Sequence, residues 1–144
     1  MLAFSMAKTD SITTDEFMVI HQRLFRISKT WGDLWLTLFF LRAESCRVVN
    51  IKYSDIKDDI LHLEATPKFE SRTIRLCKIL RQLFKQRKVS NPQDVYVFQS
   101  KSNRVKGYAK PVTTVAMNIA LKEAAREISN KNITMKSALQ VMGS

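Results

Sequence analysis

A run of cationic side chains between residues 68 and 110 has the clearest chemistry in this sequence. It contains twelve Lys and Arg residues against two acidic ones, whereas a merely solvated basic face usually alternates with acidic partners. Such an excess of positive charge is suited to neutralising nucleic-acid phosphates. The cationic set that we predict to contact DNA comprises Lys68, Arg72, Arg75, Lys78, Arg81, Lys85, Lys101, Arg104, Lys106 and Lys110.

Other kinds of site find little support in the sequence. The two histidines, His21 and His62, and the two cysteines, Cys46 and Cys77, do not stand at the spacing of metal ligands. There is no glycine-rich phosphate loop and no serine elbow. We therefore expect no metal and no cofactor.

The 144 residues carry a net charge of +11 and are 45% hydrophobic, which is enough for one domain with its own core. No apolar run reaches the ~20 residues that a membrane-spanning helix needs, and the N-terminus lacks the pattern of a signal peptide. We expect a cytoplasmic protein that does not bind membranes. Residues 1–11 are predicted to be flexible and residues 12–144 to form a single domain.

The spacing of apolar residues predicts a mainly α fold with a small antiparallel β-sheet, of the α+β class. A first helix is predicted to start at Thr13 or Thr14, and a second, almost wholly apolar helix to cover residues 31–43. A last helix is predicted over residues 112–128. The buried face of the first is predicted to carry Phe17, Ile20, Leu24 and Ile27, and that of the last to carry Val115, Ile119 and Ala120.

The cationic set falls on a predicted hairpin and on the helix that follows it. Apolar and polar residues alternate over 60–64 and 72–76, which predicts two antiparallel strands joined by a loop that contains Lys68. The next helix is predicted to bury Leu76, Ile79, Leu80, Leu83 and Phe84. Its opposite face carries Lys78, Arg81, Lys85 and Lys88, so this helix should present cations to solvent.

Five stretches follow one another in the order and spacing of motifs from one known family. They are FFLRAES at 39–45, VVNIKYSDI at 48–56, VYVFQS at 95–100, KPV at 110–112 and ITMKSALQ at 133–140. These resemble, in turn, the TGLRxSE, LxxLxWSDI, LFxS, KPL and ITPHSLRH segments of the tyrosine recombinases, the phage integrase family. The likeness covers roughly residues 12–144 and implies the fold of the family's catalytic domain, which holds DNA in a C-shaped clamp.

The resemblance also implies a catalytic set, of which little is present. The family binds the scissile phosphate with two arginines and attacks it with a tyrosine, while a lysine in the hairpin protonates the leaving oxygen. Lys68 lies in the corresponding turn. A solvated lysine in an exposed turn is the alternative interpretation of this residue.

Two alignments compete at the first arginine. A gapless alignment anchored on residues 53–55 puts Glu44 at the family's arginine and Arg47 at its glutamate, which exchanges the charges. The rival takes Leu41 and Arg42 as the motif and keeps the arginine, but it needs two inserted residues. We prefer the gapless alignment because insertions in a helix are disfavoured relative to point changes.

In the second conserved segment of the family, Lys136 stands in place of histidine and Leu139 in place of arginine. The sequence ends at Ser144, before the position of the family's tyrosine, and Tyr53, Tyr96 and Tyr108 come too early to replace it. We therefore expect a domain that lacks the C-terminal catalytic segment. No intact catalytic site is predicted, and Arg42 and Lys68 are the remnant candidates.

Together these observations predict an integrase-like protein that binds double-stranded DNA and is catalytically inactive. It would act as a regulator or accessory factor in DNA recombination or integration, within a mobile element, or be a remnant of a recombinase. The alternative is a protein-interaction module that pairs with a full-length recombinase, with itself or with another partner. An active recombinase fragment is the least favoured interpretation.

Overall fold

The computed structural model describes residues 10–101, 108–128 and 130–142. Its helices are α1 (Thr14–Ile27), α2 (Lys29–Leu41), α3 (Ser45–Val48), α4 (Lys78–Ser90) and α5 (Thr114–Ala125). Its strands are β1 (Ile12–Thr13), β2 (Ile56–Lys57), β3 (Ile60–Leu63), β4 (Arg72–Arg75) and β5 (Val141–Met142). The predicted class, mainly helical with a small antiparallel sheet, is confirmed.

The chain divides into two compact units. Unit 1 combines Met1–Ser45 with Thr114–Ser144, and unit 2 is the continuous segment Cys46–Thr113. Unit 1 contains α1, α2, α5 and a short parallel pair of β1 with β5. Unit 2 contains α3, the three-stranded antiparallel sheet β2-β3-β4 and α4.

Helix α1 begins where the sequence predicts. Thr13 caps it, because its hydroxyl accepts from the amide of Glu16 while the Glu16 carboxylate accepts from the amide of Thr13. Phe17, Ile20 and Leu24 are buried as predicted. The prediction for Ile27 is wrong: this residue is 47% exposed, and it is the last of the helix, where the chain turns at Ser28 into α2.

Helix α2 supplies the centre of unit 1, with Leu34, Trp35 and Leu38 fully buried. It begins at Lys29, two residues before the predicted start, because the Ser28 hydroxyl accepts from the amide of Thr30 and caps the helix. Gly32 allows close packing on α1, since a Cβ there would lie 2.8 Å from Cδ2 and 3.1 Å from Cα of Phe25. The helix ends at Leu41, two residues early, with Arg42 in the left-handed conformation at φ 52°.

Helix α5 is present, and of its three predicted buried residues only Ala120, which is 7% exposed, is buried. Val115 and Ile119 are 68% and 65% exposed, whereas the stripe carrying Met117, Leu121 and Ala124 is buried. The segment has two apolar stripes, and periodicity alone does not decide which one faces the core. The pair β1–β5, with Ile12 opposite Val141, was not predicted because it joins residues far apart in sequence.

Unit 2 is built on the predicted hairpin. Strands β3 and β4 pair antiparallel with Ile60 opposite Arg75 and Leu63 opposite Arg72, which confirms the pairing of 60–64 with 72–76. Strand β2 adds a third strand that was not predicted. Asp58 and Asp59 turn β2 into β3 with φ of 52° and 64°, as a tight two-residue turn requires. The core of unit 2 contains Val48, Ile51, Leu61, Leu80, Phe84, Val97 and Phe98.

Candidate nucleic-acid interface

The loop between β3 and β4 holds Lys68 in a tight turn. The amide of Thr66 donates to the carbonyl of Phe69 at 2.8 Å, and the amide of Phe69 donates back to the carbonyl and hydroxyl of Thr66 at 3.3 and 3.0 Å. Pro67 and Lys68 therefore occupy the two corner positions of the turn. The Lys68 side chain is exposed at this corner, where the sequence placed it.

Arg47 holds both ends of that loop by hydrogen bonds. Its side chain is buried, and Nη1 donates to the carbonyl of Glu64 at 3.2 Å and to that of Glu70 at 2.8 Å. The guanidinium carbon also lies 5.3 Å from the centroid of the Phe69 ring. The guanidinium of Arg47 therefore stabilises the conformation of the hairpin loop, a role that the gapless alignment did not predict.

Strand alternation separates the two arginines of β4. Arg72 pairs with Leu63 and shares the face of the sheet that carries the buried Leu61, whereas Arg75 pairs with Ile60 on the opposite face. Arg75 is exposed, but Arg72 is only partly so. Of the two, Arg75 is therefore the one fully open to solvent.

The outer face of the sheet carries a second cation that was not in the predicted set. Lys57 pairs with Ile60 across β2 and β3, and Ile60 pairs with Arg75 across β3 and β4. The three residues form a cross-strand row with a cation at each end, and Lys57 and Arg75 are both exposed. The signal available in the sequence was that Lys57 precedes the turn at Asp58 by one residue.

Helix α4 exposes three members of the cationic set, Lys78, Arg81 and Lys85. Arg81 Nη1 lies 3.9 Å from the Asp59 carboxylate, an exposed pair that contributes little to stability. These cations stand along a groove of 570 Å³, which we call the α4 groove. Its lining residues are Tyr53, Ile56, Asp59, Leu76, Lys78, Arg81, Gln82, Phe84, Lys85, Lys88 and Val89.

Two cations of the same helix serve the fold instead. Arg87 is buried, its Nε donates to the carbonyl of Val97 at 2.8 Å, and its guanidinium lies 5.1 Å from the centroid of Phe98. Lys88 Nζ donates to the carbonyls of Pro92 and Asp94 at 3.0 and 3.3 Å. Arg87, one of the twelve cations of residues 68–110, is thus not open to a partner, because its aliphatic stem and head pack into the core.

The later members of the cationic set have local partners or cannot be placed. Lys101 Nζ lies 2.5 Å from the buried carboxylate of Asp94. The Lys110 ammonium stands 4.9 Å from the centroid of Tyr108. Arg104 and Lys106 lie outside the described residues.

The remnant catalytic candidates fall in different units. Arg42 lies in unit 1, where its Nη2 donates to the carbonyl of Leu139 at 2.7 Å, and Lys68 lies in unit 2. Leu139 is the residue that stands at the second arginine position of the resemblance. Arg42 thus touches the main chain of that segment, and Lys136 beside it is exposed.

Within residues 10–101, 108–128 and 130–142, no group of three His, Cys, Asp or Glu side chains is placed to hold a metal ion. Over the same ranges, no helix has the length and apolar character to span a bilayer.

The fold is similar to that of lambda integrase. A crystal structure of a lambda integrase(75-356) dimer bound to a COC' core site matches with a TM-score of 0.74 and 16% identity, over 92% of this chain and 50% of that chain. A second, of a lambda integrase dimer bound to a COC' core site, gives 0.73 and 15% over 92% and 39%. The chain thus spans half or less of either integrase chain. No family model and no curated protein matches the sequence. The predicted resemblance is confirmed as a likeness of fold.

Proposed function

We propose that this chain is an integrase-like DNA-binding protein that acts as a regulator or accessory factor in DNA recombination or integration. The observation that carries the proposal is the hairpin of unit 2, which combines an anchored turn bearing exposed Lys68 with an exposed Arg75. The structures with a similar fold are of lambda integrase bound to a DNA core site, which makes DNA the favoured polyanion.

The anchoring of the loop is what makes Lys68 suited to a phosphate. A lysine on a mobile loop loses conformational freedom when it binds, and that loss weakens the complex. Here Arg47 ties the carbonyls of Glu64 and Glu70, and the turn closes on itself between Thr66 and Phe69, so much of the ordering is complete before DNA arrives. Lys78, Arg81 and Lys85 on α4 would add further phosphate contacts.

The proposal includes the absence of strand cleavage by this chain. Lys136 and Leu139 replace the histidine and arginine of the resembling segment, so two of the groups that act on the phosphate are missing. An incubation with nicked core-site DNA should yield no covalent protein–DNA adduct on a denaturing gel. An adduct mapped to Tyr53, Tyr96 or Tyr108 would contradict this part of the proposal.

Salt dependence of DNA binding tests the proposal directly. Each neutralised phosphate contributes ~0.9 to the slope of log affinity against log salt, so a variant with Lys68→Ala and Arg75→Ala should lose about 1.8 from that slope. The matched control removes two exposed cations of unit 1, Arg26→Ala and Lys29→Ala. The measurement is fluorescence anisotropy with a labelled duplex over a salt series.

The control variant should keep the parent slope. If no duplex is retained at low salt, or if the hairpin and control variants lose the same amount, the hairpin is not a DNA site. The excess charge would then be a solvated surface, and the protein-interaction interpretation would take its place.

A further inference from the structure

We infer that the α4 groove is a docking site for an acidic amphipathic helix of a partner protein. The inference concerns a partner class other than DNA, and it stands on the shape and the lining of the groove. Phosphate binding by the hairpin is neither required for it nor excluded by it.

The lining residues of the groove extend along most of α4. The helix contributes Lys78, Arg81, Gln82, Lys85, Lys88 and Val89 to it. These positions recur at intervals of three and four residues and so form one continuous stripe. From the first to the last they span twelve residues, and eleven steps of 1.5 Å give about 16 Å. Tyr53, Ile56 and Asp59 line the groove from outside the helix, and the length along α4 corresponds to about three turns of a second helix.

The floor of the α4 groove is apolar. Leu76 and Phe84 lie at its base with 3% and 4% of their surface exposed, the half-buried Ile56 lies beside them, and Val89 at one end is 72% exposed. Phosphates would gain nothing from such a floor, because burial of apolar surface requires an apolar partner. A helix that inserts leucine-like side chains would cover it, as in other helix-in-groove complexes.

The rim of the α4 groove selects for negative charge. Lys78, Arg81 and Lys85 stand on the helix side, and Asp59 is the one carboxylate among the lining residues. A second copy of this chain is an unfavourable occupant because each copy carries a net charge of +11. A DNA duplex would offer phosphates to the rim but no apolar side chains to the floor. The occupant that satisfies both floor and rim is an acidic helix with an apolar stripe.

The probe for this site is a fluorescein-labelled helical peptide made of Glu and Leu, with Leu recurring at intervals of three and four. Two matched peptides replace Leu by Ser or Glu by Gln. The parent peptide should bind, and each matched peptide should bind at least about tenfold more weakly, since removing either the apolar or the ionic contacts costs more than 1.4 kcal/mol.

Two uncharged substitutions on α4 distinguish the loss of groove contacts from a general effect on the helix. Val89→Ser removes apolar surface from the end of the groove and should weaken peptide binding about tenfold. Ile79 was predicted to be buried, but it is 49% exposed and lies outside the groove. Ile79→Ser therefore makes a similar change on the same helix and should leave peptide affinity unchanged. Neither changes charge, so the salt slope of DNA binding should stay at the parent value in both.

Equal binding of the Leu and Ser peptides would overturn the inference, because attraction would then be electrostatic alone. Equal peptide affinity of Val89→Ser and Ile79→Ser would overturn it as well. Peptide binding that depends on Val89, in a protein that retains no duplex DNA at low salt, would support this inference and remove the proposed function.

Discussion

The two units of the molecule use charge in different ways. Unit 1 carries nine Lys and Arg against seven Asp and Glu, whereas unit 2 carries fifteen against six. In unit 1, Lys131 pairs with Glu16 at 2.8 Å and Arg126 with Glu123 at 3.2 Å. Nearly equal numbers of positive and negative side chains suit unit 1, whose ion pairs stabilise its own fold. The excess positive charge of unit 2 destabilises that unit by self-repulsion, which a polyanionic partner would offset.

Four arginines of unit 2 show two different uses of charge. Arg47 and Arg87 are buried and donate to main-chain carbonyls, so their charge fixes a loop or joins two segments. Arg75 and Arg81 are exposed, and removing them should leave the fold intact. Composition alone counts all four as surface charge, and only the packing distinguishes them.

The largest expected effect comes from removing a buried arginine. Arg87→Ala breaks the 2.8 Å hydrogen bond to the carbonyl of Val97 and empties the space beside Phe98. A hydrogen bond from a charged donor is worth about 1.5–3 kcal/mol, so we expect a loss of ~3 kcal/mol with the packing included. Urea unfolding measures the change in free energy.

Lys85→Ala is the matched control for that substitution, because it removes the same charge from the same helix at an exposed position. Its effect on the free energy of unfolding should stay within about 0.5 kcal/mol. If the two variants are equally stable, the distinction between buried and exposed cations of unit 2 has no energetic meaning.

The sequence predicted the features of this fold that depend on local pattern. The start of α1 at Thr13, the hairpin of β3 with β4 and the exposed cations of α4 all follow from the spacing of neighbouring residues. What it missed depends on distant packing: the β1–β5 pair, the exposure of Val115 and Ile119 on α5, and the burial of Arg87. A charged residue is assigned to the surface by default, and nothing within one helical turn of Arg87 reveals the carbonyl of Val97 that receives it.

For the candidate site, the sequence placed Lys68 correctly in a turn but could not show how that turn is held. The anchor is Arg47, which precedes the turn by about twenty residues and reaches it only through the tertiary fold. Arg72 and Arg75 looked equivalent in sequence because both are charged and close together. The two residues are three positions apart in one strand, and the strand period of two residues places them on opposite faces of the sheet.

An intermediate effect is expected at the Glu16–Lys131 pair of unit 1. Glu16→Ala removes the capping box on Thr13 and the hydrogen bond from Lys131, and should cost ~1 kcal/mol near neutral pH. The hydrogen bond from Lys131, together with that from the amide of Thr13, lowers the pKa of Glu16 below its ordinary value of 4.5. Its contribution is therefore full above that value and is lost as the pH falls below it.

Chemical denaturation of parent and variant between pH 7 and pH 3 measures this difference, which should narrow towards the acid end. Glu123→Ala provides the control, since that carboxylate pairs with Arg126 at an exposed site and should contribute less. A difference between parent and Glu16→Ala that stays constant over the whole range would show that the carboxylate charge of Glu16 plays no part.

The smallest expected effect concerns His21, a half-buried residue that tests whether the stability of unit 1 depends on the protonation of one side chain. Burial lowers the pKa of His21, and the nearby Asp33 carboxylate opposes this only in part. The folded protein therefore takes up the His21 proton at lower pH than the unfolded chain, whose ordinary value is 6.5. Stability is full above that value and falls as the pH drops below it, because protonation favours the unfolded chain. His21→Leu should remove this part of the acid sensitivity between pH 7 and pH 5, while His62→Gln, at an exposed position of β3, should retain it. If parent and His21→Leu lose stability in parallel over that range, the histidine is not a charge-sensitive point, and the contrast between the units is one of surface charge alone.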